Sequence, residues 1–179
     1  YKALGEREGI THVGCLAHVR RRFHDVIKTG AKKKNGVAQT VIDLIAKLYK
    51  IEKQAKKQKL QPEAVRAMRQ ERAKPVIDKI KSLLIERQPT TPPKSLLGQA
   101  ISYALGQWPR VEIYLEDGRL SPDNNVAENA IRPFAVGRKN WLFAGSAAGA
   151  RASATLYSLI EIAKACGLNP YEYLLHIFE

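Results

Sequence analysis

Long apolar runs are missing from this 179-residue chain. None approaches the roughly 20 residues that a bilayer-crossing helix needs, and the opening residues Tyr1-Lys2-Ala3-Leu4-Gly5-Glu6 carry no signal-peptide pattern. The expectation is a cytoplasmic protein with no membrane partner. Cysteine is scarce as well: Cys15 and Cys166 are too few for a disulfide framework, which suits a reducing compartment. No methionine stands at the start, so the chain reads as a piece of something longer. Internal repeats of about 20 to 50 residues are absent. The Gly-rich stretch 145–149 lacks the spacing of a P-loop or a dinucleotide fingerprint, which leaves tight packing or a turn, and no Ser/His/Asp arrangement stands out.

What is present is cationic. Hydrophobic residues make up 45% and charged residues 26%, a composition of folded chains, and the length suits one ordinary domain or two small ones. With 30 Lys and Arg against 17 Asp and Glu the net charge is +13. Residues 1–60 hold 15 basic and 5 acidic groups, 61–120 hold 10 and 7, and 121–179 hold 5 of each. An excess so localised favours a polyanion, through phosphate neutralisation and counterion release. For any single Lys run a solvated helical face is the plainer reading; over the whole segment nucleic acid is the better match.

The pattern predicts a mainly α chain with a few short strands. Residues 10–17 read as a strand entering a helix near Ala17, with Val19, Phe23, Val26 and Ile27 on one face and Gly30 ending it. After Lys32-Lys33-Lys34, the set Val41, Leu44, Ile45, Leu48 and Ile51 recurs at helical spacing, with Lys47, Lys50, Lys53, Lys56 and Lys57 on the outer face. Pro62 opens a further helix whose apolar set Val65, Met68, Val76, Ile77, Ile80, Leu83 and Leu84 is interrupted by Pro75, a predicted kink. The two segments are expected to form an antiparallel hairpin. Residues 89–93 make a linker. Leu97, Ile101, Ala104, Leu105 and Trp108 then line a helix that extends past Pro109 to the Asp117-Gly118 turn. A short helix through Val126, Ala127, Ala130 and Ile131 is expected to stop at Pro133, with a small hairpin or irregular loop over 136–144. The last helices cover 151–165, burying Leu156, Leu159, Ile160 and Ala163, and run from Asn169-Pro170 through Leu174, Leu175 and Ile177.

The densest polar cluster runs from Asp117 through Asp123, Asn124 and Asn125 to Glu128 and Asn129. In a helix that starts at Asn124 or Asn125, Glu128 shares their face at spacings of four and three. Two readings stay open: a carboxylate aimed into a cleft with its rotamer fixed by neighbours, or helix capping aided by the helix dipole. Cys15 and His18 form a Cys-x-x-His pair, but no second pair follows at a zinc-finger spacing, and a buried Cys with a satisfied His is the alternative. Arg20, Arg21 and Arg22 open a helix, and Arg132 follows Glu128 by one turn. Arg138 and Lys139 sit in an expected loop with Trp141, which either stacks on a base or packs with Leu142 and Phe143.

Two strings carry a resemblance. Gly14-Cys15-Leu16-Ala17-His18-Val19-Arg20-Arg21-Arg22-Phe23 resembles the Gly-Cys-x-Ala-His-x-Arg-Arg-x-Phe string of bacterial insertion-sequence-66 transposases. Asp117-Gly118-Arg119 to Arg132-Pro133, Gly137 to Ser146, Gly149-Ala150-Arg151, Tyr157-Ser158-Leu159-Ile160 and Asn169 to Leu174 resemble that family's C-terminal block, leaving only about 30–95 without a distinctive motif. The resemblance implies the C-terminal portion of a ribonuclease-H-like core with an all-helical insertion. Residues 1–29 would be a strand-helix remnant of the core, 30–93 the basic insertion, and 94–179 the part carrying the Glu helix. It further implies that Glu128 is the metal-binding glutamate of an Asp-Asp-Glu triad, supported by Asp123, Asn124 and Asn125, with His18 approaching the scissile phosphate. Arg20, Arg21, Arg22, Lys32, Lys33, Lys34, Arg132, Arg138, Lys139 and Trp141 would hold double-stranded DNA. Two divalent ions, magnesium or manganese, would serve the full-length enzyme, and a homo-oligomer would assemble in a synaptic complex at the bacterial nucleoid. The family's second Asp is expected just before Tyr1, so this chain holds one acid of three, binds no ion tightly and is expected to be inactive alone. The alternative is a non-catalytic DNA-binding or complex-assembling module.

Overall fold

A computed structural model describes residues 9–29, 36–141 and 144–179, with the backbone alone for 138–141. It divides into two units, Tyr1–Asn124 and Asn125–Glu179. The basic loop Lys32-Lys33-Lys34 lies outside the described residues. No helix among the described residues is long and apolar enough to cross a membrane.

In the first unit, α1 (Leu16–Thr29) buries Leu16, Val19 and Phe23. α2 (Val37–Lys57) buries Val41, Leu44, Ile45, Leu48 and Ile51, the stripe that its 3.6-residue periodicity dictates, and its lysines are exposed. α3 (Pro62–Met68) places Pro62 in the first turn, where no N–H is required. A single π-turn, Arg69–Ala73, joins it to α4 (Lys74–Arg87), which buries Ile77, Ile80 and Leu84 and packs back on α2. The π-turn ends just ahead of Pro75, so the expected break at that proline takes the form of a locally widened coil that accommodates its ring. α5 (Leu96–Val111) passes through Pro109 and tightens into a 3-10 turn, Glu112–Leu115. Ser95 caps α5, its Oγ accepting the Gly98 N–H at 3.0 Å. Side chains from α1, α2, α4, α5 and the 3-10 turn meet in one core around Trp108, Tyr114 and Phe23.

No strand occurs among the described residues. The strand expected over 10–17 does not form: α1 already begins at Leu16, and residues 10–15 have no ladder partner among the described residues. Their backbone bonds go elsewhere: the Gly14 N–H donates to Arg110 O and the Leu16 N–H to Pro122 O, each at 2.8 Å. Ile27, expected on the buried face of α1, is exposed.

The second unit is three helices, α6 (Asn125–Trp141), α7 (Ala147–Ala165) and α8 (Pro170–Phe178). α6 continues through Pro133 and takes up residues 136–141 of the hairpin or loop expected over 136–144, of which 142 and 143 lie outside the described residues. Ring and helix are compatible because α6 has two full turns before Pro133 and gives up only one backbone bond there. Ser146 Oγ caps α7 through the Gly149 N–H at 3.0 Å, which assigns the small-residue stretch to a helix start. Asn169 Oδ1 caps α8 through the Tyr171 N–H at 3.0 Å. Phe134 and Tyr157 meet edge to face, centroids 5.3 Å apart. Of the four residues expected to be buried in α7, Ala163 is, Leu159 and Ile160 are half-buried, and Leu156 is exposed.

Trp108 Nε1 and the Tyr114 hydroxyl are buried and lack a hydrogen-bond partner among the described residues. A buried phenol left unsatisfied costs about 1–3 kcal/mol. Burial, reinforced by the nearby Glu52 carboxylate, also pushes its ionisation well above the ordinary tyrosine range. Tyr114→Phe is therefore expected to leave stability unchanged or raise it by about 1 kcal/mol. Urea unfolding of the two proteins checks this, and a clear loss of stability would reveal a partner for the hydroxyl.

Candidate functional site

Residues 112–124 connect α5 to the helix that carries Glu128, and the structure spends most of its buried polar chemistry on holding them. Arg69, 2% exposed, stands at the centre. Its Nε and one Nη2 hydrogen grip Glu52 at 2.9 and 2.7 Å. The remaining Nη2 hydrogen goes to Leu120 O at 2.8 Å, and the Nη1 pair to Tyr114 O and Asp117 O at 2.7 and 2.8 Å. All five guanidinium donors are thus used, and the Tyr114 ring lies 5.0 Å beneath the plane. Such a pair is tolerated in the interior only because every donor is met, and removing one partner typically costs about 3–5 kcal/mol.

Weaker contacts reinforce it. Gln70 Nε2 donates to Leu115 O at 3.1 Å, and Lys81 pairs with Glu112 at 2.9 Å. Gly118 backs onto α3 so closely that a Cβ there would lie 1.9 Å from Pro62 O. The glycines of the two motif strings therefore share a cause, since a Cβ on Gly14 would fall 2.8 Å from the Val111 nitrogen. Asp117 turns outward and accepts from the Arg119 backbone N–H at 2.8 Å and from its guanidinium. The side-chain bonds from Arg119 first, and its backbone N–H second, hold the Asp117 carboxyl down to about 2.

The end of the segment is held by Tyr49 of α2, whose hydroxyl donates to Asp123 Oδ2 at 3.0 Å. Burial, then the Asp123 carboxylate, push the phenol far above its ordinary range, so it remains a donor at every physiological pH; Cys15 and Arg20 also lie within its field. Tyr49 thus holds one residue singled out in the sequence, Asp123.

His18 is half-buried on α1, and Arg20, Arg21 and Arg22 are exposed, Arg22 lying 4.9 Å over the Tyr103 ring. Asn124 is exposed immediately before α6, Asn125 is its first residue, and Glu128 is half-buried in its first turn. Arg132 is exposed on α6. Arg138, Lys139 and Trp141 belong to the last turns of α6, not to a loop. Sequence reasoning missed Arg69, Glu52 and Tyr49. A signal for Arg69 exists: it falls in step with Val65, Ala73 and Ile77, at spacings of four, on the buried stripe.

The chain matches the family described as Transposase IS66 family over residues 1–152, and it belongs to that family. It is similar to uncharacterized protein y4jD of Sinorhizobium fredii (strain NBRC 101917 / NGR234), 33% identical across 100% of this chain and 35% of the relative. Uncharacterized proteins y4qI and y4hP of the same organism are 34% and 33% identical, over 95% and 92% of this chain and 31% of each relative. The chain therefore spans about a third of the length of these relatives. No solved structure matches it.

Two outcomes test the segment's chemistry. Gly118→Ala is expected to destabilise the protein by about 1–3 kcal/mol, because backbone and not a flexible side chain must yield, as read by denaturant unfolding. Asp117 is lowered in the folded state, so its contribution is complete above the unfolded value near 4 and is lost as pH falls from about 4 through about 2. Carboxyl NMR is expected to find Asp117 near the bottom of that window, returning to the ordinary range in Arg119→Ala.

Proposed function

We propose that this chain is the C-terminal part of the catalytic region of an Asp-Asp-Glu transposase with a ribonuclease-H-like core, and that Glu128 is the third acid. The observation that supports it is the family match over residues 1–152, which brackets Glu128. Glu128 stands half-buried in the first turn of a regular helix, and a site residue carried on a helix is more precisely placed than one on a loop.

The reaction is an in-line phosphoryl displacement on DNA: water or a 3′-hydroxyl attacks phosphorus, and the opposite ester oxygen leaves. Bound magnesium or manganese would supply the Lewis acid and lower the pKa of the attacking oxygen. A carboxylate is the hard oxygen donor such ions take, so Glu128 fits as one ligand and cannot complete a two-ion site alone. His18 is the polar group assigned to the scissile phosphate. Arg20, Arg21, Arg22, Arg132, Arg138, Lys139 and Trp141, with Lys32, Lys33 and Lys34, are assigned to duplex DNA, as are the exposed lysines of α2, which form a cationic face of that helix. Binding of two transposon ends by a homo-oligomer completes the reading.

In the full-length protein, Glu128→Gln is expected to abolish strand cleavage and transfer while sparing DNA binding; retained transposition overturns the assignment. The 179-residue chain alone is expected to give no magnesium-dependent cleavage. For the cationic face, the combined change Lys47→Ala, Lys50→Ala and Lys53→Ala is expected to weaken duplex binding and flatten the plot of log affinity against log salt by about one unit of slope per lysine. An unchanged salt slope places the phosphate contacts elsewhere.

A further inference from the structure

Resting on the reading of Glu128 above, we propose that Arg69 and Tyr49, both in the span assigned to the helical insertion, are positioning residues: they fix the course of residues 114–123, the stretch that leads to the Glu128 helix, and cleavage depends on that course.

The argument begins with cost. A guanidinium 2% exposed is an expensive way to fill a core, and nothing about stabilising α3 or α4 demands it, since neither helix supplies any of its acceptors. Three of its five bonds instead reach carbonyls of Tyr114, Asp117 and Leu120, which are 45, 48 and 51 residues further along. Those carbonyls lie at intervals of three residues, so one rigid planar fork fixes the course of a stretch that has no regular secondary structure beyond Leu115. The π-turn begins at Arg69 itself. The same turn that accommodates the Pro75 ring thus carries Arg69 at its first position, and π-turns are rare and frequent at functional sites.

Tyr49 acts on the other end of the same stretch. Its hydroxyl holds Asp123, two residues before Asn125 opens α6, and that bond spans 74 residues of sequence. Between the two anchors, Gly118 allows the chain to lie against Pro62. Every one of these contacts comes from the insertion, residues 49 to 69, and every one lands between Tyr114 and Asp123. Stabilising α3 and α4 does not require bonds from both Tyr49 and Arg69 to the stretch that precedes the Glu128 helix. A catalytic requirement for a fixed approach does, because a displacement of about 1 Å at a catalytic group can lower a rate by about 100-fold.

The test uses full-length transposase carrying Tyr49→Phe, which removes one oxygen from a half-buried site, and Arg69→Lys, which keeps the charge but loses the fork. Three quantities are measured: single-turnover cleavage at saturating transposon-end DNA, the Kd for that DNA, and amide hydrogen exchange across residues 115–124. The expected result is cleavage slowed by about 10- to 100-fold with Kd altered less than about twofold, and faster exchange confined to that segment, while the thermal midpoint stays above the assay temperature. Loss of cleavage and binding together, in proportion to the folded fraction, would show a merely structural role and overturn the proposal. Should Arg69→Lys fail to fold, Tyr49→Phe decides alone. Cleavage abolished in Glu128→Gln but untouched in Tyr49→Phe overturns the role of the anchors only; cleavage retained in Glu128→Gln overturns the reading of Glu128 and the anchors' role with it.

Discussion

One charge at the centre of the larger unit has every hydrogen it owns engaged. Arg69 binds Glu52 on α2 and three carbonyls of the segment after α5, and its plane covers the Tyr114 ring. Helices on either side of it would each form from their own periodicity, but the stretch from Glu116 to Leu120 has no regular secondary structure of its own to define it. A guanidinium supplies what hydrophobic burial cannot, which is direction: five donors in a fixed plane admit few arrangements of acceptors. The course of residues 114–120 follows from that constraint.

Much of the fold is visible in the spacing of apolar residues. The stripe from Val41 to Ile51 and the set Ile77, Ile80 and Leu84 are buried as their 3.6-residue period requires. Pro133 is where that reading overreaches. It lies inside a continuous helix, as Pro109 was expected to and does, because a proline with one or more turns before it costs a single backbone bond that a long helix can surrender. The stretch from Ile10 to Val13 misleads for a different reason. Its residues favour extension, but a strand exists only when another lies beside it, and no described residue offers one.

The candidate site was half legible. Glu128, Asp123 and the Asp117-Gly118-Arg119 string stand out as a polar cluster, and the reason for Gly118 becomes plain once Pro62 is seen against it. The partners that hold the cluster, Arg69 and Tyr49, are hidden by distance: neither is near it in sequence, and an Arg or a Tyr in an amphipathic helix is ordinarily taken for surface or core. Only its step with Val65 and Ile77 marks Arg69 as unusual. In the second unit the periodicity of α7 identifies an apolar face correctly, but burial needs something to cover that face, and Leu156 stays exposed within this unit. Sequence patterns report which side of a helix is apolar, and the covering surface belongs to another stretch of chain.

The pairing of Arg69 with Glu52 also restricts how this sequence can drift. A change at either position alone strands a buried charge or a set of buried carbonyls, which folding tolerates poorly. Position 69 is further tied to three backbone oxygens that no substitution elsewhere can remove. Lineages that descend from this fold can replace the ion pair only by exchanging both members at once and finding new donors for the loop, so positions 52 and 69 should be inherited as a unit even where the helices around them diverge.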